Sequence, residues 1–436
     1  RRICERYFVE GGKAAGERFR SAPMQVVHSA EGGRLRNVVS GGGTVYLSLA
    51  DDVIELLIAT GFAEVWLAKE GHSGNVFINF LNKIEMPLIY VMYGAMLAGA
   101  DGVIVGAGNP DGLPAVCTRL AEHQAVTHPV SVLYRDAGEE FHLAFDPHQV
   151  AGGSLTTAPI RRPAFLAIVS LEDLVQALAN SDSAAPDGFI IENYTAGGHN
   201  ANPVGPLRRD ELGQPIYGPK DNPDLAAIRD AGLPFWLAGG YGSREGLATA
   251  QAAGAQGVQA GSIFALAEES GMKPDYRTAI LNQIKSGASD ADLVRTTIFS
   301  PTGFSFKVVQ ITQTLADDEV YAERRRVCDI GLLQQIGLSS ADDSGTRTLF
   351  QRCPAGPIET YISKRGLERN TAERRCLCNG LLACVGLGQV KEQAGESYEE
   401  PAIVTLGDHL DGVRRLSRQG QTHYWANDVV LDILGA

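Results

Sequence analysis

Between residues 76 and 265, short continuous apolar runs alternate with stretches of helical periodicity. The apolar runs are Val76–Phe80 (VFINF), Gly102–Gly106 (GVIVG), Phe165–Val169 (FLAIV), Gly188–Ile191 (GFII), Phe235–Ala238 (FWLA) and Gly257–Ala260 (GVQA). A strand without polar alternation needs cover on both faces, and intervening amphipathic helices supply it. The rhythm therefore predicts a buried parallel sheet. Tyr93–Gly99, Leu113–Glu122, Leu171–Asn180, Leu225–Gly232 and Arg244–Gly254 are the expected helices. Three of them run into a recurring phrase: AGADG at 98–102, DAGLP at 230–234 and AAGAQG at 252–257. Each puts glycine at or just past a helix C-terminus, where a left-handed residue lets the chain turn straight into a strand. About six βα units result. Six units fit either an open doubly wound sheet or a barrel lacking two strands. No GxGxxG follows an early strand, so the dinucleotide-type sheet lacks its usual signal. Gly-rich strand ends spread over successive units favour the TIM (β/α)8 barrel, whose strand C-termini share one mouth.

The flanks lack this rhythm. Residues 1–61 read as a partial N-terminal segment, with a polar, Gly-rich stretch at 32–44 and a helix-like Leu49–Gly61 (LADDVIELLIATG). From about residue 316 to 436 the chain reads as an appended helical and loop extension holding five of the seven cysteines. The opening RRICERYFVE has the pattern of a helix interior, so a fragment or processed chain is expected.

Composition narrows the function classes. With 44% hydrophobic and 20% charged residues in 436, the chain has ample core material and is not disordered. No apolar run approaches the ~20 residues of a membrane span. A net charge of −13 argues against a nucleic-acid partner, which requires a basic footprint. Cysteines without an export signal point to reduced thiols or metal ligands, and to a cytoplasmic setting, rather than to a disulfide framework. The 50 glycines become informative only by position.

Three phrases at successive strand ends carry candidate chemistry. Glu192–Pro203 (ENYTAGGHNANP) follows the strand GFII. Its paired glycines permit close backbone approach, and His199 at a barrel mouth suits acid/base work or anion binding. Leu237–Ser243 (LAGGYGS) and Val258–Ser262 (VQAGS) each lead into a helix start. Backbone N–H groups and a helix N-terminus there make a phosphate site that needs no Lys or Arg. Ser243 suits an N-cap, with Gly246 where a capping box has Glu. The bland alternative is tight αβ turns and a surface histidine.

In this order the phrases resemble the FMN-dependent nitronate monooxygenases, also called 2-nitropropane dioxygenases, and the related FMN-containing enoyl-acyl-carrier-protein reductases. VFINF, YGAMLAGADGVIVGAG, FIIENYTAGGHN, LPFWLAGGYGS and GVQAGSIFALAEESG carry the likeness over roughly residues 62–310, which makes 62–315 the expected FMN-binding barrel. RRRVCDIG, RCPAGP, RRCLCNGLLACVGLGQ and EGHSG resemble a long subgroup with a cysteine-bearing tail. The resemblance implies flavin contacts from Asn79, Glu192 (often Gln in relatives), Gly197 and Gly198. It implies phosphate and ribityl contacts from Gly239, Gly240, Gln259, Gly261 and Ser262, and a catalytic role for His199. The implied reaction is oxidation of a nitronate or nitroalkane with O₂. Alternatives are an NAD(P)H-dependent enoyl-thioester or quinone reductase, and a cofactor-free barrel scaffold. Relatives begin with strands upstream of anything here, so the first one or two βα units are expected to be cut off, disordered or supplied by another chain. A homo-oligomer or a second chain is the expected partner, since an open barrel exposes unpaired strand-edge groups.

Cys328, Cys353, Cys376 and Cys378 are enough thiols for a tetrahedral zinc or an iron–sulfur cluster, against the alternative of buried unliganded cysteines. Cys117 and Cys384 lie in apolar contexts and read as core. His72, His123, His128, His142 and His148 read as surface, and the arginines of Glu323–Arg326 and Arg374–Arg375 as solvated faces. Tyr194, Tyr217 and Tyr241 are candidates to line a substrate pocket.

Overall fold

A computed structural model describes residues 25–29, 38–39, 43–156, 158–181, 184–393, 395–417 and 423–435. The opening decapeptide and most of the Gly-rich stretch at 32–44 lie outside them. The chain forms two compact units. One comprises residues up to Ala167 with Asn180–Asp187 and Cys328–Leu367; the other comprises Ile168–Ala179, Gly188–Val327 and the chain from Glu368.

In the first unit, helix α1 (Asp51–Ala68) precedes strand β1 (Phe77–Leu81), helix α2 (Glu85–Leu97), strand β2 (Gly102–Gly106), helix α3 (Leu113–Ala121) and strand β3 (Ala164–Val169). The three strands are parallel, with Phe77 opposite Gly102 and Val103 opposite Phe165. Helix α2 is apolar on nearly every side, and Leu88, Ile89, Tyr90, Met92, Tyr93 and Met96 are all buried in one cluster. Such a helix belongs in a core. It meets α1 through glycines: a Cβ at Gly94 would stand 2.0 Å from the Ile58 carbonyl oxygen, and one at Gly61 2.2 Å from that of Val91. Only hydrogen fits at either crossing point. A second sheet of this unit orders its strands Gln25–Ser29, Gly43–Ser48, Glu139–Phe145 and Val126–Pro129. Part of the tail read as helix and loop adds strands here: Gln335–Leu338 pairs with Val132–Leu133 and with Leu349–Arg352.

The second unit continues the βα rhythm: α4 (Glu172–Ala179), β4 (Gly188–Glu192), α5 (Leu225–Asp230), β5 (Phe235–Ala238), α6 (Arg244–Ala252) and β6 (Gly257–Gln259). These strands are again parallel, with Ile191 opposite Leu237 and Leu237 opposite Val258. The mixed α/β class and the parallel βα strands expected from the apolar runs are thus present. Six such strands occur among the described residues, two short of a complete (β/α)8 set. The recurring phrases act as anticipated, for Gly99, Gly232 and Gly254 all take φ between +80° and +95°. Beyond β6 the unit adds an antiparallel hairpin, β7 (Val294–Phe299) and β8 (Ser305–Val309). The segment Ala402–Leu410 lies beside β8, with Val309 N donating to Val404 O at 2.8 Å and Thr405 Oγ1 to Lys307 O at 2.8 Å. Among the described residues no helix is long and apolar enough to cross a membrane.

Several residues read as surface are buried. His123 and His128 are each 5% exposed. The Tyr93 hydroxyl lies 2.8 Å from His123 Nδ1, and the Ala158 carbonyl 2.6 Å from Nε2, which satisfies the ring in an apolar setting. Burial holds His128 down to about 4. Arg324 and Arg375 are also buried, not solvated: Arg324 pairs with Glu400, and Arg375 with Asp318 at 2.9 Å. Cys117 and Cys384 sit in the two cores, as their apolar neighbours suggested.

Candidate functional site

The C-terminal ends of β4, β5 and β6 open onto a cleft of about 640 Å³ within the second unit. The chain leaves β4 at Glu192 and turns through an Asx-type loop. Asn193 Oδ1 accepts from Thr195 N at 3.0 Å, and Thr195 Oγ1 lies 2.7 Å from that same oxygen and 3.0 Å from Gly239 O. This ties the loop after β4 to the one after β5. There Gly239 and Gly240 take φ of +82° and +87°, and a Cβ on Gly239 would strike Thr195 Oγ1 at 2.4 Å. Both positions therefore require glycine. Ser243 caps α6 by accepting from Gly246 N at 2.9 Å. After β6, Gly261 faces open space, with nothing within 4 Å of a built Cβ. Ser262 Oγ accepts from Gly407 N at 2.6 Å, which leaves the hydroxyl proton to donate elsewhere.

Charge is concentrated at one side of these loops. Glu192 lines the cleft, and burial pushes its carboxyl up to about 7, against an opposing pull from Lys307. Lys307, on β8, is buried and donates to Tyr194 O. Its ammonium pairs with Asp408 Oδ2 at 2.9 Å. Burial lowers its basicity, while Asp408 and Glu192 raise it. The glycine turns and the capped start of α6 thus adjoin a carboxyl that burial pushes up to about 7.

Comparison with protein families matches residues 162–300 to the model described as "Nitronate monooxygenase". No curated protein matches the chain. Solved structures similar to it include FabK from Thermotoga maritima, at 17% identity and TM-score 0.46, covering 87% of this chain and 80% of that one. The enoyl reductase domain of MlnA from the macrolactin biosynthesis cluster of Bacillus amyloliquefaciens stands at 13% and 0.46, covering 87% and 84%. Nitroalkane oxidase from Streptomyces ansochromogenes stands at 15% and 0.38, covering 90% and 79%.

The matched segment supplies most of the cleft. Glu192, Gly197, Gly198, Gly239, Gly240, Gln259, Gly261 and Ser262 all line it. Asn79 lies on β1 of the first unit with its side chain exposed. His199 directly follows the lining residue Gly198, and its ring packs edge-on to Phe306 at 4.8 Å between centroids. A backbone bridge to Phe306 fixes that position against β8. Tyr194 and Tyr217 stack at 4.1 Å, and neither they nor Tyr241 line the cleft among the described residues.

The expected metal site is not found: no group of three or more His, Cys, Asp or Glu that could hold a metal occurs among the described residues. Cys328 and Cys353 fall in the first unit, Cys376 and Cys378 in the second. The Cys328 and Cys376 sulfurs are engaged locally. Gln334 Nε2 lies 3.3 Å from Cys328 Sγ, and Cys376, buried at the start of the helix Leu377–Cys384, takes a hydrogen bond from Cys378. That contact holds the Cys376 thiol below its ordinary value.

The wall facing the loops after β4, β5 and β6 carried no signal recognised in the sequence. Thr405, Gly407, His409, Asp411 and Arg415 line the cleft from the tail. A Cβ on Gly197 would stand 2.6 Å from Gly407 N, and one on Gly240 3.1 Å from the His409 ring. The phrase TLGDHLDG, with glycines bracketing Asp-His, was the available signal.

Proposed function

We propose that the protein is an FMN-dependent oxidoreductase that oxidises nitronate or nitroalkane-like substrates with O₂. The observation that carries this reading is the convergence of Gly239–Gly240, the Ser243-capped start of α6 and Gly261–Ser262 on one cleft. Left-handed glycines turn backbone N–H groups outward, and the open space at Gly261 is a cradle that any side chain would fill. Those features fit a flavin phosphate. Gly197, Gly198 and Gln259 would hold the remainder of the cofactor. When bound, FMN would supply the two-electron redox chemistry.

The chain's own residues bind, orient and handle protons. His199 would hold the anionic nitro group or take the proton of a neutral nitroalkane, its ring steadied by Phe306. Glu192 carries a proton below about pH 7 and is a carboxylate above it. Because its pKa in the folded protein is raised, the folded state binds that proton more tightly than the unfolded chain. Its contribution thus favours folding at low pH and is lost as pH rises towards about 7. Glu192→Gln, neutral throughout, is expected to abolish the inflection near pH 7 in kcat/KM. An unchanged pH profile would remove Glu192 from the reaction.

The primary test is a titration of the purified protein with FMN, followed by anaerobic stopped-flow mixing with a nitronate or with NADPH. Bleaching of the flavin by nitronate supports this reading; bleaching by NADPH alone would favour an enoyl or quinone reductase. His199→Asn is expected to slow flavin reduction by about 100-fold or more, the scale of a lost general acid–base group. A rate within twofold (~0.4 kcal/mol) of the parent would end that assignment.

A further inference from the structure

We propose that the tail segment Thr405–Arg415 completes the anion pocket of this cleft, and that His409 is its phosphate-binding side chain, oriented by Asp408. The inference rests on the FMN reading above and adds residues from outside the matched family segment.

Three observations converge on it. First, the segment is held in place from below. Thr405 bonds to the Lys307 carbonyl, Gly407 N to Ser262 Oγ at 2.6 Å, and Asp408 to the buried Lys307 ammonium at 2.9 Å. Lys307 is only 5% exposed, so this pair fixes backbone position as well as balancing charge. Second, His409 stands over the Gly239–Gly240 turn, with three ring atoms 3.1 Å from a Cβ built on Gly240. Its side chain remains 49% exposed and lines the cleft. Third, Asp408 has one oxygen to spare. Oδ2 takes the Lys307 pair, whereas Oδ1 is buried without a hydrogen bond.

His409 Nδ1 lies 3.6 Å from that spare oxygen, just beyond hydrogen-bond length. A small rotation closes the gap and satisfies the buried oxygen. When the ring is doubly protonated between that carboxylate and a bound phosphate, Nδ1–H donates to Asp408 Oδ1 and Nε2–H is the outward donor. The arginine in the lining is already engaged: Arg415 reaches Asp432 at 2.6 and 3.2 Å. With Glu192, Glu245 and Asp411 also in the lining, His409 is the side chain best placed to donate to a phosphate at the Gly240 turn. Asp408 is thus a positioning residue, and its pair with Lys307 keeps it from turning away.

The test compares FMN with riboflavin, which differ only in the phosphate. Affinities are read by flavin fluorescence for the parent, His409→Ala, His409→Gln and Asp408→Asn. The expected result for His409→Ala is a 10- to 100-fold loss of FMN affinity, the scale of one charged hydrogen bond, with riboflavin affinity within about twofold. His409→Gln, retaining an N–H donor, is expected to recover part of the loss. Asp408→Asn is expected to weaken FMN selectively by a smaller factor. Equal losses for both flavins would overturn the proposal, since His409 would then merely pack against the turn. Unchanged FMN affinity in His409→Ala would overturn it as well. A parent protein that binds neither flavin would instead refute the FMN reading itself, and a parent that binds both with equal affinity would refute the phosphate pocket alone.

Discussion

Gly261→Asp is expected to fold like the parent protein and to bind FMN at least ~100-fold more weakly. The backbone at Gly261 has φ −120° and ψ −59°, which an aspartate adopts without a left-handed penalty. No atom lies within 4 Å of its built Cβ, so the new side chain meets no protein neighbour. Its carboxylate would enter the cleft beside Ser262, where the phosphate is proposed to sit. Two unit charges about 5 Å apart at an effective dielectric near 20 repel by about 3 kcal/mol, and a phosphate carries more than one. Surface-like substitutions of this kind alter stability by about 0.5 kcal/mol or less. Thermal unfolding should therefore hardly move while the flavin titration collapses. Parent-like FMN affinity in the aspartate variant would place the cofactor elsewhere.

Glu400→Ala should cost about 3–5 kcal/mol of folding stability, the range for stranding one member of a buried ion pair. The side chains of Arg324 and Glu400 are 1% and 3% exposed, and they meet directly through Arg324 Nε. Truncating Glu400 takes its carboxylate away from a buried guanidinium, and an arginine does not neutralise by losing its proton. Replacing both partners, as Arg324→Met with Glu400→Leu, should recover most of the loss, because the apolar pair removes the desolvation cost together with the attraction. Urea unfolding of the two variants against the parent decides the matter. A single variant within about 1 kcal/mol of the parent would mean that water reaches this pair.

What the sequence made legible was local. VFINF, GVIVG and FWLA declared parallel strands because an uninterrupted apolar run has few other uses, and Gly99, Gly232 and Gly254 closed helices within a residue or two of their expected ends. The loops after β4, β5 and β6 were equally legible, since paired glycines and a Ser cap act over a few residues. Partnerships across long separations were hidden. Arg324 and Glu400 stand 76 residues apart, and nothing in ERRR distinguishes a buried arginine from a solvated one. His123 carries no sign of the Tyr93 hydroxyl that makes its burial tolerable. The four tail cysteines failed for the converse reason: their number suited a metal, while Cys328 meets Gln334 and Cys376 meets Cys378, with no group of three or more ligands among the described residues. His409 escaped because a wall contributed from the tail has no βα rhythm to announce it.

Building that wall from the tail also has a consequence for biosynthesis. Gly239 and Gly240 leave the ribosome roughly 165 residues before Thr405, about 8–33 s earlier at ordinary elongation rates of ~5–20 residues per second. Throughout that interval the loops of β4, β5 and β6 exist without their facing side. If the cleft holds FMN as proposed, tight retention begins only once synthesis has passed the tail, and a nascent chain stalled before residue 405 should hold FMN loosely even with every glycine of the cradle in place.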